Sequence, residues 1–375
     1  MDVLLVEPYY TGSHRSWADG LQTHSDHEVR LLTLPGRFWK WRMQGGAVTL
    51  ARLARQIEAS ADLILASDMV NLPVFLSLAG GPLQSVPVAL YFHENQLTYP
   101  LQPGEKRDLH YGFINFASAL RAEAVLFNST YHLEAFFDEL PRLLKHFPDY
   151  NEIGSVELLR AKSRVLPLGL DLARLDPPAT AAGEVEALEG VRVGRPLLLW
   201  NHRWEYDKDP ETFFRAVDAL SAEGLDFGLI LLGESFRNQP AEFLEARRRH
   251  PERIVHFGYA EDVKNYRGLL WKADIVVSTA IHEFFGTAVV EACYCGCFPV
   301  LPRRLAYPEL IPEEHHAACL YDRFEGLLER LRWAILNVDE VRGFSLRGAV
   351  SCYDWERMAP SYDCLLETVA SGAVG

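Results

Sequence analysis

"ADIVVSTAIHEFFGTAVVEACYCGCFPVLP" occupies residues 273–302. Its first seven and last five residues are apolar runs of the kind that form strands. Between them lie a short exit loop, "AIHE", and a helix-length amphipathic stretch that begins near Gly286. Strand, helix, strand is the pattern of parallel α/β layers. The pattern extends along the whole chain. In the first half, strands are expected at residues 3–8, 29–34, 63–67, 87–93 and 124–129; in the second, at 196–202, 226–234, 253–259, 273–279 and 298–302. These runs are apolar from end to end, as strands covered by helices on both faces must be. "PPATAAGEVEALEGVRVGRP" (177–196) separates the two sets and contains no convincing strand.

The expected fold class is therefore α/β, with two Rossmann-like doubly wound domains facing across a cleft. Residues 1–176 form the first domain, 177–195 a linker, 196–350 the second domain, and 351–375 a crossover helix and tail. "VSCYDWERMAPSYDCLLETVA" (350–370) is amphipathic with a break expected at Pro360, and suits a helix returning to brace the first domain.

At 375 residues two domains of ordinary size are the default. Hydrophobic content of 49% with 23% charged residues excludes a disordered chain. No apolar run reaches the ~20 residues that span a bilayer. Met1 leads straight into an apolar strand with no basic region or cleavage site, so no secretory signal is expected. Six cysteines in a chain of this size do not make a disulfide framework, which fits a cytoplasmic setting. The net charge of −14 argues against indiscriminate nucleic-acid binding. Residues 1–150 hold 12 Lys+Arg against 16 Asp+Glu, leaving −10 of the −14 for the remainder. An anionic partner is thus expected on the N-terminal half.

In open α/β sheets ligands sit beyond the carboxyl ends of the strands. The first strand is followed by "YYTGSHRSW", where Gly12 permits a tight turn and Ser13 is placed to cap a helix whose free N–H groups attract an anion. An ordinary βα turn is the plain alternative. After the fourth strand, "FHENQLTYP" sets His93, Glu94, Asn95 and Gln96 in a row, an expensive grouping unless a ligand or a capped loop uses it. After the sixth strand, "NHRWEYDKDP" places Arg203 and Lys208 ahead of a helix started by Asp209 and Pro210. Two cations beside a helix start suit a diphosphate. Asp207 and Asp209 form the chain's one D-x-D, but Asp209 has a capping role and Lys208 lies between the carboxylates, so no metal is expected. In the opening stretch Gly286 and Thr287 would present unpaired N–H groups to phosphate oxygens. Glu291 lies just over one turn further, about 6 Å along the axis. Glu283 precedes the helix, and a carboxylate accepts well from paired sugar hydroxyls. Cys293, Cys295 and Cys297 have neither redox nor zinc spacing and are expected to be packing residues.

The stretch from Glu283 through "EACYCGCFPV" resembles the "E-A-x-A-x-G-x-P-V" signature of the GT-B retaining, nucleotide-sugar-dependent glycosyltransferases. The Gly12 loop, His93, Gly169, Asp171, Arg203, Lys208, Gly233, Gly258, Glu283 and Glu291 fall in that family's order over nearly the whole chain. More narrowly, "EPYYTGSHRSWADGL" and "YFHENQLTYP" resemble the glycosyltransferase-like family that includes tRNA-queuosine α-mannosyltransferase. The resemblance implies GDP-mannose as donor, queuosine in a tRNA anticodon as acceptor, and no cofactor beyond the nucleotide sugar. It assigns the diphosphate to Arg203 and Lys208 with Phe285, Gly286 and Thr287, and the ribose to Glu291. Glu283 takes the sugar hydroxyls, Gly258 and Tyr259 the base, His93 the anomeric centre, and Gly12 with Ser13 the phosphate side.

"RFWKWR" (37–42) interleaves Arg37, Lys40 and Arg42 with aromatics. It suits stacking on unpaired bases, or else forms a solvated loop with its tryptophans packed inward. Asn95, Lys106, Arg107 and His110 complete the residues expected to bind the acceptor. A lipid or polysaccharide acceptor, or a non-catalytic nucleotide-sugar-binding protein, are the alternatives. No strong amphipathic membrane-docking helix is evident in the first domain, and oligomeric state is not legible.

Overall fold

A computed structural model of the chain describes residues 1–101, 104–176, 194–234 and 240–373. Most of the expected linker, residues 177–193, lies outside the described residues. The chain divides into two compact units, Met1–Leu170 with Tyr353–Gly375, and Asp171–Cys352.

In the first unit β1 (Asp2–Tyr10), β2 (Glu28–Pro35), β3 (Leu63–Ser67), β4 (Val88–Phe92), β5 (Ala124–Phe127) and β6 (Ser163–Val165) form one parallel sheet, ordered β2-β1-β3-β4-β5-β6. β3, β4 and β5 are buried along their whole length, which is why their sequences lack alternation. Strand order reverses between β1 and β3, so the loops leaving those strands splay apart and open a crevice.

The second unit holds β7 (Leu197–Asn201), β8 (Gly228–Leu232), β9 (Ile254–Gly258), β10 (Ile275–Val277), β11 (Phe298–Pro302) and β12 (Leu320–Tyr321), also all parallel. Its order, β12-β11-β10-β7-β8-β9, is that of a dinucleotide-binding sheet. The reversal falls between β7 and β10, the strands that carry Lys208 and Glu283 on their exit loops. All ten expected strands form. β6 and β12 were not foreseen, because runs of three and two residues carry no readable pattern.

The helix Trp355–Ala370 belongs to the first unit although the whole second unit precedes it in sequence. Pro360 sits inside this helix and does not break it. In the first turns the proline forfeits only the bond to the Glu356 carbonyl, and Glu356 is solvent-exposed. A bridge between Leu170 and Asp354 starts the return, with the Leu170 N–H donating to the Tyr353 carbonyl (2.8 Å) and the Trp355 N–H to the Leu170 carbonyl (2.9 Å). The Tyr362 hydroxyl donates to the Pro167 carbonyl (2.9 Å) and receives the Trp17 indole N–H (3.2 Å). Asp363 accepts from the Ser25 hydroxyl (2.5 Å) and the Asp26 N–H (2.9 Å).

The Trp355 indole is fully buried between two glycines. A Cβ on Gly20 would fall 1.9 Å from its Nε1, and one on Gly169 would fall 2.4 Å from its Cδ2. Gly20 lies inside the helix Gly12–His24, where alanine would otherwise add about 1 kcal/mol of helix propensity. Collision with the ring outweighs that gain. Gly20→Ala and Gly169→Ala should each destabilise the protein by about 1–3 kcal/mol, and Trp355→Ala by about 3–5 kcal/mol, measured by urea unfolding. A stabilised Gly20→Ala would show that the indole has room to move.

Candidate active site

The reversal of strand order brings the exit loops of β7 and β10 together. The N–H groups of Ile281 and His282 both donate to the Asp207 carbonyl (2.9 and 3.3 Å), and the Thr279 hydroxyl lies 3.0 and 2.8 Å from the Lys208 and Asp209 carbonyls. Asp209 takes φ +50°, tolerable for a short polar side chain, and caps the helix Pro210–Ala222 by accepting from the Thr212 N–H (3.1 Å). That turn drives Lys208 inward, leaving it 6% exposed.

The Lys208 ammonium meets three acceptors: the His282 carbonyl at 2.8 Å, Asp207 Oδ2 at 3.1 Å and Glu283 Oε2 at 3.3 Å. The first and third of these are hydrogen bonds, and the Asp207 contact is an ion pair. Burial opposes the charge, but Glu283 and Asp207 outweigh it and raise the lysine's pKa above its ordinary value. Burial likewise pushes the Glu283 carboxyl up, and Lys208 with His202 and His282 more than reverses it, so the group is held below its ordinary value. His202 and His282 are both pushed down to about 4, by burial first and Lys208 second, and are neutral near pH 7. The two carboxylates of the D-x-D have separate partners, Asp207 the lysine and Asp209 the helix start.

Gly286 stands at the head of the helix Thr287–Tyr294 with φ +102°, a conformation that favours glycine. A Cβ there would also press on Leu310 Cδ1 at 3.0 Å. The helix's leading N–H groups precede its first intrahelical acceptor. Glu291, on the same helix, is buried, with Arg174 and the Tyr266 hydroxyl bonded to its two oxygens. Arg203 is exposed and paired with Glu205 at 3.3 Å. Gly258, φ +122°, accepts the Gly233 N–H through its carbonyl (3.2 Å), and Tyr259 beyond it is exposed. The Phe285 ring is buried. Cys293, Cys295 and Cys297 are buried free thiols; Cys297 Sγ lies 3.4 Å from the Leu270 and Ala273 carbonyls.

A second cluster occupies the crevice of the first unit. Glu7 on β1 is fully buried and bonded to His14 Nδ1 at 2.8 Å, while its other oxygen accepts the Tyr9 N–H at 2.6 Å. Burial opposes a charge on His14, but Glu7, Asp68 and Glu94 outweigh it and push its pKa up to about 9. The His93 ring lies 4.2 Å from the His14 ring and is wedged against Trp17 and Tyr91. Burial, then the His14 charge, then His132 hold His93 well below its ordinary value. It is a neutral imidazole, 8% exposed, with both ring nitrogens lacking partners among the described residues. The His93 backbone N–H donates to Asp68 Oδ1 (2.9 Å), and its backbone carbonyl accepts from Asn128 Nδ2 (3.0 Å). Donor atoms of Glu7, His14 and His93 lie within 4.8 Å of one another, a composition zinc accepts. The Glu7–His14 bond already engages two of those atoms, so a cation would have to displace it.

Several sequence expectations change. Ser13 does not cap the first helix: Thr11 is its N-cap, and Gly12 (φ +51°) and Ser13 are exposed in its first turn. Asn95 is fully buried and organises its own loop, accepting from the Leu97 and Thr98 N–H groups (3.0 and 2.9 Å). Arg107 braces the same loop, donating to the Gln96 and Tyr99 carbonyls at 2.8 Å each. Arg42 is half-buried and donates to the Pro35 carbonyl (3.0 Å). Arg37, Lys40, Lys106 and His110 are exposed. "RFWKWR" is not a loop throughout: from Trp39 on it is the first turn of the helix Trp39–Gln56. Trp39 packs beside Tyr111 (5.2 Å between rings), whereas Trp41 stays outside. Glu7, His14, His202 and His282 were missed, although His202 and His282 follow strand ends, where polar residues signal a site; Glu7 lies within β1 and His14 within the first helix. Arg174 and Tyr266 had no such signal, because only the fold brings them to Glu291.

Residues 2–170 match the family described as tRNA-queuosine alpha-mannosyltransferase N-terminal, and residues 186–344 match Glycosyl transferases group 1. A tRNA-queuosine alpha-mannosyltransferase of Drosophila melanogaster is 34% identical over 332 residues, covering 88% of this chain and 85% of that protein. The chain belongs to the tRNA-queuosine alpha-mannosyltransferase family. It is also similar, at 26% identity over 60% of its length and 55% of the relative's, to a GDP-mannose-dependent phosphatidylinositol dimannoside mannosyltransferase of Mycobacterium tuberculosis. Among solved structures, Anabaena HepE in complex with UDP and glucose matches with TM-score 0.69 at 16% identity, over 98% of this chain and 100% of that one. Sucrose-phosphate synthase of Thermosynechococcus elongatus matches with TM-score 0.72 at 15% identity, over 99% of each chain. These structures share the GT-B fold with it. Among the described residues no helix is long and apolar enough to cross a membrane.

The Glu7–His14 pair gives a pH signature. Its contribution to stability is full below 6.5, the ordinary imidazole value, and is lost as pH rises through about 9. In NMR titrations the His14 ring should titrate near 9, and Glu7→Gln should lower that midpoint markedly. An unmoved midpoint would rule out the carboxylate as the cause.

Proposed function

We infer that this protein is a retaining glycosyltransferase that moves mannose from GDP-mannose to queuosine in a tRNA anticodon, without a metal ion. Membership of the tRNA-queuosine alpha-mannosyltransferase family, resting on 34% identity over 88% of the chain, carries the reaction class. The second unit's geometry supports the assignment of roles.

Cleaving the sugar–phosphate bond leaves extra negative charge on the departing diphosphate, and fixed positive groups aimed there lower the barrier. Lys208 and Arg203 supply them, with the amides of Phe285, Gly286 and Thr287 at a helix head. Lys208 is already faced by two carboxylates and a carbonyl, so an arriving phosphate competes with its carboxylates. Glu283 is the outer of the two and the one that yields, which frees its oxygens for the sugar's hydroxyls. Arg203 exchanges Glu205 for phosphate in the same way. Glu291, fixed by Arg174 and Tyr266, keeps further lone pairs for the ribose diol. Gly258 and Tyr259 border the base.

On the first unit, Gly12 and Ser13 offer helix-start amides to the donor's phosphate side. His93 brings a neutral imidazole, its nitrogens unpartnered among the described residues, to the anomeric side. No carboxylate is assigned as a nucleophile, so retention follows a front-face path in which the departing phosphate oxygen takes the acceptor's proton. Arg37, Lys40, Lys106 and His110 are the exposed groups assigned to the tRNA. Such an acceptor places the reaction in the cytoplasm.

Incubation with GDP-mannose and tRNA, followed by nucleoside mass analysis, should show queuosine gaining one hexose, and UDP-glucose should not substitute. Absence of the gained hexose with queuosine-containing tRNA would refute the assignment. Lys208→Ala and Glu283→Ala should keep the fold, the lysine variant less stably because it leaves the buried Asp207 without its counter-ion, and each should lower turnover at least about 100-fold, the scale of one lost electrostatic partner. Turnover should survive exhaustive chelation unchanged; loss on chelation, restored by a divalent ion, would mean that a metal and not Lys208 neutralises the leaving group.

A further inference from the structure

We propose that the helix Trp39–Gln56 and the turn before it form a strip that binds single-stranded RNA, with the Trp41 indole as a base-stacking platform. This rests on the tRNA reading above and says where and how the first unit would grip the nucleic acid.

The charge pattern comes first. Residues 29–57 contain six cations and no Asp or Glu, in a chain whose net charge is −14. Arg30 pairs with Asp2. The other five, Arg37, Lys40, Arg42, Arg52 and Arg55, form no ion pair among the described residues. Four of them, all but Arg42, are exposed, and Arg52 bonds only the neutral Gln56 amide oxygen (3.2 Å). Arg160 and Arg332 pair with Glu134 and Glu223, whereas residues 29–57 offer no acid of their own to any of their cations. A helix of 18 residues, about 27 Å long, that leaves its cations unmatched is complementary to a polyanion.

Aromatic placement supplies the second, independent observation. Trp41 is 60% exposed and Phe38 is 78% exposed. Trp41 is not merely loose in solvent. One face of its indole lies on Gly45, one helical turn away, where a Cβ would fall 2.6 Å from Cζ2 and 2.7 Å from Cε2. The missing side chain makes a seat for the ring, most of which remains exposed to solvent. Phe38 holds φ +54° as the helix's N-cap, an uncommon conformation for an aromatic residue and one that accompanies functional constraint. Two presented π-faces among unpaired cations suit unpaired bases, whose stacking tolerates any sequence, better than a duplex or an apolar protein partner.

Location is the third. A Cβ on Gly36 would fall 2.2 Å from Thr11 Cγ2, so the turn abuts the loop that holds Gly12. Trp39 and Met43 pack with Tyr9 near the end of β1, Met69 just beyond β3 and Tyr111 on the helix Leu109–Arg121. The strip therefore starts at the crevice of its own unit.

Fluorescence-anisotropy titration of the whole protein with an anticodon-loop RNA, at several salt concentrations and without donor, tests this. Trp41→Ala should weaken binding by about 5- to 150-fold at every salt concentration, the loss expected for one stacked base, and leave the salt slope unchanged. Gly45→Ala, which keeps the indole but removes its seat, should weaken binding in the same direction while raising helix stability. Arg52→Ala with Arg55→Ala should lower the slope of log K against log salt by about 1.4, for two phosphate contacts on a single strand. GDP-mannose binding should be unchanged in all three. If the variants bind RNA as the wild type does, while the wild type still modifies tRNA, the strip is wrong and the proposed function stands. If Trp41→Ala alters association with a protein but not with RNA, the strip is equally wrong. A wild type that neither binds nor modifies tRNA would overturn the function and the strip together.

Discussion

A buried ammonium between one buried and one half-buried carboxylate holds the second unit's site together. Lys208 draws the exit loops of β7 and β10 into one surface through Asp207, Glu283 and the His282 carbonyl. In water such a cluster contributes little, but behind a folded sheet each charge lacks another source of solvation. The lysine keeps its proton because both acids are there, and Glu283 stays ionised because the lysine is. The loops cannot separate without stranding a charge.

The first unit solves the opposite problem. His14 and His93 are stacked within the same crevice, and both would lose their charge to burial alone. Glu7 tips the balance for one of them. With His14 positive, a second charge on His93 is repelled as well as desolvated, so the imidazole at the end of β4 is fixed as the neutral form. A pair of titratable groups whose surroundings push their pKa values apart is a frequent mark of a working site. The crevice is backed by the C-terminal helix, whose Tyr362 joins Trp17 to the Pro167 carbonyl behind the His93 ring. The two glycines beside Trp355 show how closely that helix seats.

The architecture was legible because parallel strands buried on both faces read as unbroken apolar runs, and ten of the twelve could be marked from them. The edge strands β6 and β12 were invisible, being too short to repeat any pattern. The rule that polar residues after a strand mark a site led to Lys208, Glu283, Gly286 and His93. Asn95 and Arg107 show that a polar side chain near a strand end can also be engaged in holding its own loop. No reading of the chain separates these two uses. They differ only in whether a backbone partner happens to lie within reach.

The sequence by itself determined the class of fold, the family, and the residue types at each strand end, because those follow from local pattern and motif order. Tertiary structure alone decided which charges meet. Asp207 became the counter-ion of Lys208, Glu7 charged His14, and Arg174 with Tyr266 came to Glu291 from distant segments. It also laid Trp41 on Gly45 with most of the ring exposed while turning Trp39 inward. Electrostatic and packing energies depend on separation in space and on exclusion of water, and a linear chain specifies both only after strand order has brought its loops together.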